Sequence, residues 1–146
     1  MKRADLIAAA AAAREHAYAP YSGFKVGAAI ELADGAVFTG VNVENCSYGL
    51  TVCAERHAIA AAVRDGARPG DVVAIAVVAD ADVAASPCGA CRQVLAEFAS
   101  PTARIFLHNL RDGATEELAF ADLLPHAFDR SSLASRTARG AHVPKP

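Results

Sequence analysis

The chain has 146 residues, with 14 Lys and Arg against 16 Asp and Glu and a formal net charge of -2, which predicts one ordinary globular domain rather than an array. Hydrophobic residues make up 53% and charged residues 21%, enough to bury roughly two-thirds of the unfolded surface, so disorder as the overall state is excluded. The near-neutral balance removes the counterion-releasing attraction behind non-specific nucleic-acid binding and favours a small-molecule partner over DNA or RNA.

In chain order, residues 3–17 read as a first helix. The start, Met1-Lys-Arg-Ala-Asp-Leu-Ile and then alanines 8–13, imitates a secretory signal, but Asp5 interrupts it and Arg14-Glu15 continues a helix-forming segment. No apolar run reaches the roughly 18 residues of a membrane span, so no membrane contact is expected. The expected location is cytoplasmic, where thiols stay reduced and an even cysteine count does not imply disulfides. Ala19-Pro20-Tyr21-Ser22-Gly23 is turn punctuation that ends the helix. The β-rich runs 25–32 and 36–41 flank Asp34-Gly35, a hairpin signal. A polar loop, 42–51, leads into helical 53–64, which stops at Asp65-Gly66. Residues 72–78 are a continuous β-branched run, as in a strand covered on both faces. Ser86-Pro87-Cys88-Gly89-Ala90-Cys91 opens a second helical stretch, 92–98, followed by strands at 104–108 and 115–118.

This order predicts an α/β fold: three layers, α/β/α, around a five-stranded mixed sheet. The connection of about five residues before the last strand is too short for a crossover, so the last strand pair is expected to be antiparallel. Residues 1–133 are expected as a single domain. The end, 134–146, has Arg136, Arg139 and Lys145 with no acid and two prolines, and is expected to be a mobile tail.

Chemistry concentrates in Cys53-Ala54-Glu55 and Pro87-Cys88-Gly89-Ala90-Cys91, 35 positions apart and each at a predicted helix start. Helix N-termini carry partial positive charge and free N–H groups, which lower a thiol's pKa toward the thiolate that a metal requires. Pro87 suits that boundary because a missing N–H costs little there. Three thiolates leave a tetrahedral zinc with one open position, the mark of a catalytic rather than a structural site. Glu55, in the same turn as Cys53, is placed for proton transfer without ligating the metal. Three thiolates on Zn²⁺ leave a net charge of about -1, and Arg56 is positioned to offset that excess. A Cys-x-x-Cys at a helix start also fits a thioredoxin-type redox site. All four cysteines could instead form a closed structural zinc centre, because Cys46 is only seven positions before Cys53, though that spacing exceeds common zinc-knuckle spacing. That arrangement leaves Glu55 without a role, so Cys46 is expected to be a small buried hydrophobe.

Cys-x-Glu followed by Pro-Cys-x-x-Cys is the zinc deaminase signature. The segments 19–28 (Ala-Pro-Tyr-Ser-Gly-Phe-Lys-Val-Gly-Ala), 40–49 (Gly-Val-Asn-Val-Glu-Asn-Cys-Ser-Tyr-Gly), 53–56 and 87–93 resemble those of the small tetrameric cytidine deaminases, over roughly residues 4–133. The resemblance implies that Cys53, Cys88 and Cys91 hold one Zn²⁺ per subunit and that Glu55 is the general acid/base. It implies that Asn42 and Glu44 bind the ribose hydroxyls, that Phe24 packs on the pyrimidine, and that the Ala54 backbone meets the base O2 side. The carbonyl of Ser86 would face the amino group, and Tyr48 and Phe128 would lie at a subunit boundary of a homotetramer. The implied reaction converts cytidine or 2′-deoxycytidine to the uridine product and ammonia in pyrimidine salvage. A deaminase of a cytosine nucleoside antibiotic such as blasticidin S shares the zinc motifs. The chain departs from the family after Phe128, where Asp129-Arg130 replaces the usual Gly-Pro.

Spacing alone reads several of these residues differently. Phe24 by itself would be core, with Phe38, Phe98 and Phe106. Asn42 and Glu44 alternate with Val41 and Val43 and fit the solvent face of a strand end equally well. His57 reads as a satisfied helix-face histidine rather than a ligand.

Overall fold

Successive side chains of the central strands enter two different apolar layers, as the two-residue period of a strand requires. A computed structural model describes residues 1–133, and the expected tail, 134–146, lies outside the described residues. Five strands, β1 (Val26–Leu32), β2 (Val37–Val41), β3 (Val72–Ala79), β4 (Ala99–Asn109) and β5 (Thr115–Ala119), form one sheet in the order β2-β1-β3-β4-β5. β1 runs antiparallel to β2 and β3, while β3 and β4 are parallel. β4 and β5 are antiparallel, as their short connection demands.

Ala28 and Ile30 of β1, Ile75 and Val77 of β3, and Ile105 and Leu107 of β4 face the helices α2 (Ala54–Arg64) and α3 (Gly89–Phe98). The intervening Ala29, Ala76, Val78 and Phe106 face Leu6 and Ala10 of α1 (Arg3–Arg14). The fold is therefore the expected three-layer α/β/α arrangement. Asp34-Gly35 makes the hairpin turn, with Gly35 at φ 88° and the Asp34 carboxylate accepting the Ala36 N–H at 2.9 Å.

Two glycines set how closely the helices approach the sheet. A Cβ on Gly27 would lie 2.0 Å from the Ala10 carbonyl oxygen. One on Gly40 would lie 2.2 Å from the Ala54 carbonyl oxygen and 2.4 Å from the Ala58 nitrogen. The first turn of α2, with Cys53 just before it, thus rests on bare strand backbone.

Three sequence expectations need correction. The first helix ends at Arg14, not at 17, because Tyr18 is drawn into a bridge with Val43: its N–H donates to the Asn42 carbonyl at 3.1 Å and its carbonyl accepts the Glu44 N–H at 2.8 Å. Residues 99–103 already belong to β4, and Pro101 is accommodated where the register shifts between Val72–Ala99 and Ala74–Arg104. Cys46 is exposed rather than buried, because it lies in a loop held by its neighbour Asn45, whose side chain accepts the Ser47 N–H at 2.8 Å.

Gly40→Ala is expected to destabilise the protein by about 2 kcal/mol or more in urea unfolding, since the added methyl meets backbone rather than a movable side chain. Gly49→Ala, where an added Cβ meets nothing within 4 Å, is expected to stay within about 0.5 kcal/mol of the wild type.

Candidate active site

Cys53 is the N-cap residue of α2 and Cys88 that of α3, both with extended backbone and neither making a side-chain capping bond. Sulfur therefore stands where Ser, Thr, Asp or Asn oxygens usually satisfy the first N–H groups. Cys91 lies one turn inside α3 and is fully buried. The Cys53 and Cys88 sulfurs are 3.9 Å apart, and the three sulfurs lie within 4.8 Å of one another. Cys46 is not among them, so the closed four-cysteine centre does not form.

Cys53 is held below its ordinary range, by the neighbouring Cys91 first, with further help from Cys88 and Arg56 against the opposing effect of burial. Cys91 is pushed up, by Cys53 first and by burial second. Glu55 is 4% exposed, and burial raises its carboxyl above the ordinary range, with the Cys53 charge adding to the shift. A buried carboxyl that holds its proton more readily than usual suits reversible proton transfer near neutral pH.

These residues fit a zinc ion. The donors are three soft sulfurs, and Arg56 supplies a compensating charge: its Nη2 donates to the Thr51 carbonyl at 3.1 Å, while its Nε is buried without a hydrogen-bond partner. His57 is no ligand, since its Nδ1 lies 2.7 Å from the Val41 carbonyl oxygen.

The segment ahead of the thiols is tied together by Asn42 and Glu44. Asn42 is buried, not on a solvent face: its Oδ1 accepts the Val26 N–H and its Nδ2 donates to the Phe24 carbonyl, both at 2.8 Å. Glu44 accepts the N–H groups of Tyr21 at 2.8 Å and Ser22 at 3.2 Å, and the Ser22 hydroxyl as well. The Ser22 hydroxyl bond leads in holding the Glu44 carboxyl below its ordinary range. Phe24 is 41% exposed, which overturns its reading as core, whereas Phe106 is buried. Tyr21, Ser22, Glu44, Tyr48 and Thr51 line a cavity of about 230 Å³, and the rings of Tyr21 and Tyr48 stand 5.8 Å apart at 60°.

Ser86 is exposed, just before the buried Pro87, and Ala54 is buried in the first turn of α2. Phe128 projects with 63% of its surface exposed, held through its carbonyl by the Gln93 side chain at 2.8 Å. Where the family usually has Gly-Pro, Asp129 accepts the Ser131 N–H at 2.8 Å, so a side-chain-closed turn replaces the proline turn.

Sequence reasoning passed over Arg92 and Asn109. Asn109 is buried and clamps the start of the 80–88 loop, its Nδ2 donating to the Ala81 carbonyl at 2.9 Å. Arg92 grips the end of that loop. A cation in the first turn of a helix opposes the macrodipole, and that anomaly in Cys-Arg-Gln was the available signal.

Comparisons agree with this geometry. A family model for the cytidine and deoxycytidylate deaminase zinc-binding region matches residues 1–108. The chain is 53% identical to a cytidine deaminase of Halalkalibacterium halodurans over 128 residues, 88% of this chain and 95% of that one. It is 44% identical to a cytidine deaminase of Mycobacterium tuberculosis over 117 residues, 80% of this chain and 82% of that one. The crystal structure of cytidine deaminase from Burkholderia pseudomallei matches with a TM-score of 0.84 at 54% identity, covering 88% of this chain and 100% of that one. A fold and thiol centre of this kind define a zinc-dependent hydrolytic deaminase. Within that class the chain belongs to the cytidine and deoxycytidylate deaminase family.

Replacing Cys91 by Ala is expected to abolish zinc retention, read as metal per chain after dialysis, whereas Cys46→Ser retains it. Loss of metal from Cys46→Ser would refute the three-sulfur assignment.

Proposed function

We propose that the protein deaminates cytidine and 2′-deoxycytidine to uridine and 2′-deoxyuridine with release of ammonia, as a cytoplasmic step of pyrimidine salvage. The observation that carries this reading is the buried Glu55 carboxyl beside the three sulfurs, 4% exposed and with a raised pKa. Cys53, Cys88 and Cys91 hold one zinc per subunit, and Arg56 offsets the negative excess of their thiolates. Zinc, when bound, supplies a Lewis acid that activates water at neutral pH.

Glu55 takes a proton from the attacking water and delivers it to N3 of the pyrimidine as C4 is attacked. It then moves the remaining proton of the new C4 hydroxyl to the amine, so that the C4–N bond breaks, ammonia leaves and the C4 carbonyl forms, with carboxylate and carboxylic acid alternating within one cycle. Phe24 presents its exposed ring to the base and the Ala54 backbone meets its O2 side. The Ser86 carbonyl accepts from the amino group, which distinguishes cytosine from uracil. Asn42 and Glu44 take the ribose hydroxyls, and Glu44 remains ionised for that purpose under its Ser22, Tyr21 bonds. The exposed Tyr48 and Phe128 suit a homotetramer in which they border the pocket of a neighbouring subunit, with no nucleic acid or membrane as partner.

Two measurements test this. Zinc-loaded protein incubated with cytidine, deoxycytidine, cytosine, CMP and blasticidin S is expected to release ammonia from the first two. Release from blasticidin S alone would transfer the reading to antibiotic inactivation, and release from none would overturn it. Glu55→Gln is expected to lower kcat by at least about 10²- to 10⁴-fold while keeping its zinc.

A further inference from the structure

The Ser86–Pro87 peptide has no N–H, because its nitrogen belongs to proline, so nothing within that peptide group can anchor its plane by donation. Arg92 holds both flanks instead. Its Nη2 donates to the Ser86 hydroxyl at 2.9 Å and its Nε to the Pro87 carbonyl at 2.8 Å. The third arm, Nη1, donates to the Leu123 carbonyl at 2.9 Å, at the last residue of the short turn Phe120–Leu123. The neighbouring Gln93 holds the Phe128 carbonyl. Three neutral acceptors around one guanidinium use its rigid fork directionally, which a lysine ammonium at the same place cannot reproduce.

We propose that Arg92 is a positioning residue that fixes the Ser86–Pro87 peptide plane, and with it the carbonyl that receives the substrate's amino group, against the 120–128 segment. This rests on the deaminase reading above, which assigns the Ser86 carbonyl to the amine. All three nitrogens of Arg92 are committed to protein oxygens, so its effect is expected on amine recognition rather than on metal retention. A carbonyl held in one orientation discriminates the amino group of cytosine from the 4-oxo group of uracil, since carbonyl and oxo oxygens are both acceptors and repel. The same fork makes the aim of that carbonyl depend on where the 120–128 segment lies.

The test uses full-length, zinc-loaded wild type, Arg92→Lys, Arg92→Ala and Ser86→Ala. Zinc content, kcat and KM for cytidine, and the inhibition constant of uridine, which lacks the amino group, are measured for each. The expected result is unchanged zinc, a fall in kcat/KM for cytidine of at least about tenfold in Arg92→Ala, and a uridine constant that stays level or falls, since a freed carbonyl no longer repels the 4-oxo group. Arg92→Lys is expected to fall with Arg92→Ala rather than to rescue it. Ser86→Ala removes one arm from an exposed site, folds whatever Arg92→Ala does, and is expected to show a smaller shift of the same sign. Equal losses for cytidine and uridine, or Arg92→Ala and Ser86→Ala matching an active wild type, overturn the positioning role. A wild type inactive on cytidine overturns the deaminase reading and this role together.

Discussion

Two helices aim their N-termini at the same three sulfurs, and most of the chain is arranged around that approach. Each N-terminus brings unsatisfied N–H groups and roughly half a positive charge, a disposition that would be costly if the facing groups were cations or were absent. Sulfur at both N-cap positions supplies the negative partner, and the proposed role of Arg56 is to join the helix ends in balancing thiolates that outnumber the charge of one zinc ion. The two arginines in the first turns of α2 and α3, Arg56 and Arg92, both oppose the helix dipole and are both held by specific acceptors. Arg56 addresses the sulfurs and a carbonyl, and Arg92 addresses only oxygens. Arg56 stands three residues after its N-cap and Arg92 four after its own, so the same kind of residue serves the sulfurs on one helix and the adjoining loop on the other.

The alanine-dominated composition follows from the same approach. Ala10, Ala29 and Ala76 thin the layer under α1, and Ala54, Ala58 and Ala62 line the buried side of α2, so the helices settle close to the sheet. Small side chains bury little area each, at about 25 cal/mol per Å². The larger share of hydrophobic stabilisation therefore falls to the few bulky residues that are fully enclosed, among them Leu6, Ile30, Ile75, Leu95 and Ile105. Several aromatics are left outside: Tyr21, Phe24, Tyr48 and Phe128 are all half exposed or more open than that, or close to it. Tyr21 and Tyr48 line the cavity beside Glu44, and the buried core contains Phe106 and Phe120 as its aromatics among the described residues.

Much of this was legible in residues with a strong local signature. The β-rich run of β1, the continuous β-branched run of β3, the Asp34-Gly35 hairpin and the short link before β5 determine the sheet because composition, turn chemistry and connection length are local properties. The thiol cluster was legible because spacing and helix starts constrain it doubly. What escaped was non-local. Tyr18 shortens α1 by pairing with Val43, a partner that no helix propensity at 15–17 reveals. Asn42 is buried because both ends of its amide find backbone groups 16 and 18 positions away. Cys46 is exposed although its residue type favours burial, since the loop around it closes on Asn45 instead of on the core. Arg92 gave a signal only through its unfavourable place in a helix, which names an anomaly without naming the acceptors.

The double bond made by Asn42 has a consequence for anyone reshaping this pocket. Its amide fixes the backbone on both sides of Lys25 and so sets where the Phe24 ring stands. A side chain proposed to read the sugar is therefore also part of the scaffold that presents the ring proposed to pack on the base, and the two roles share one mechanical element. Libraries that vary position 42 to accept altered sugars will shift base selectivity at the same time. Glu44 is tied to the same ring one bond further away, since the Ser22 hydroxyl that donates to it also accepts the Phe24 N–H at 3.0 Å, so changes at position 44 reach Phe24 through Ser22.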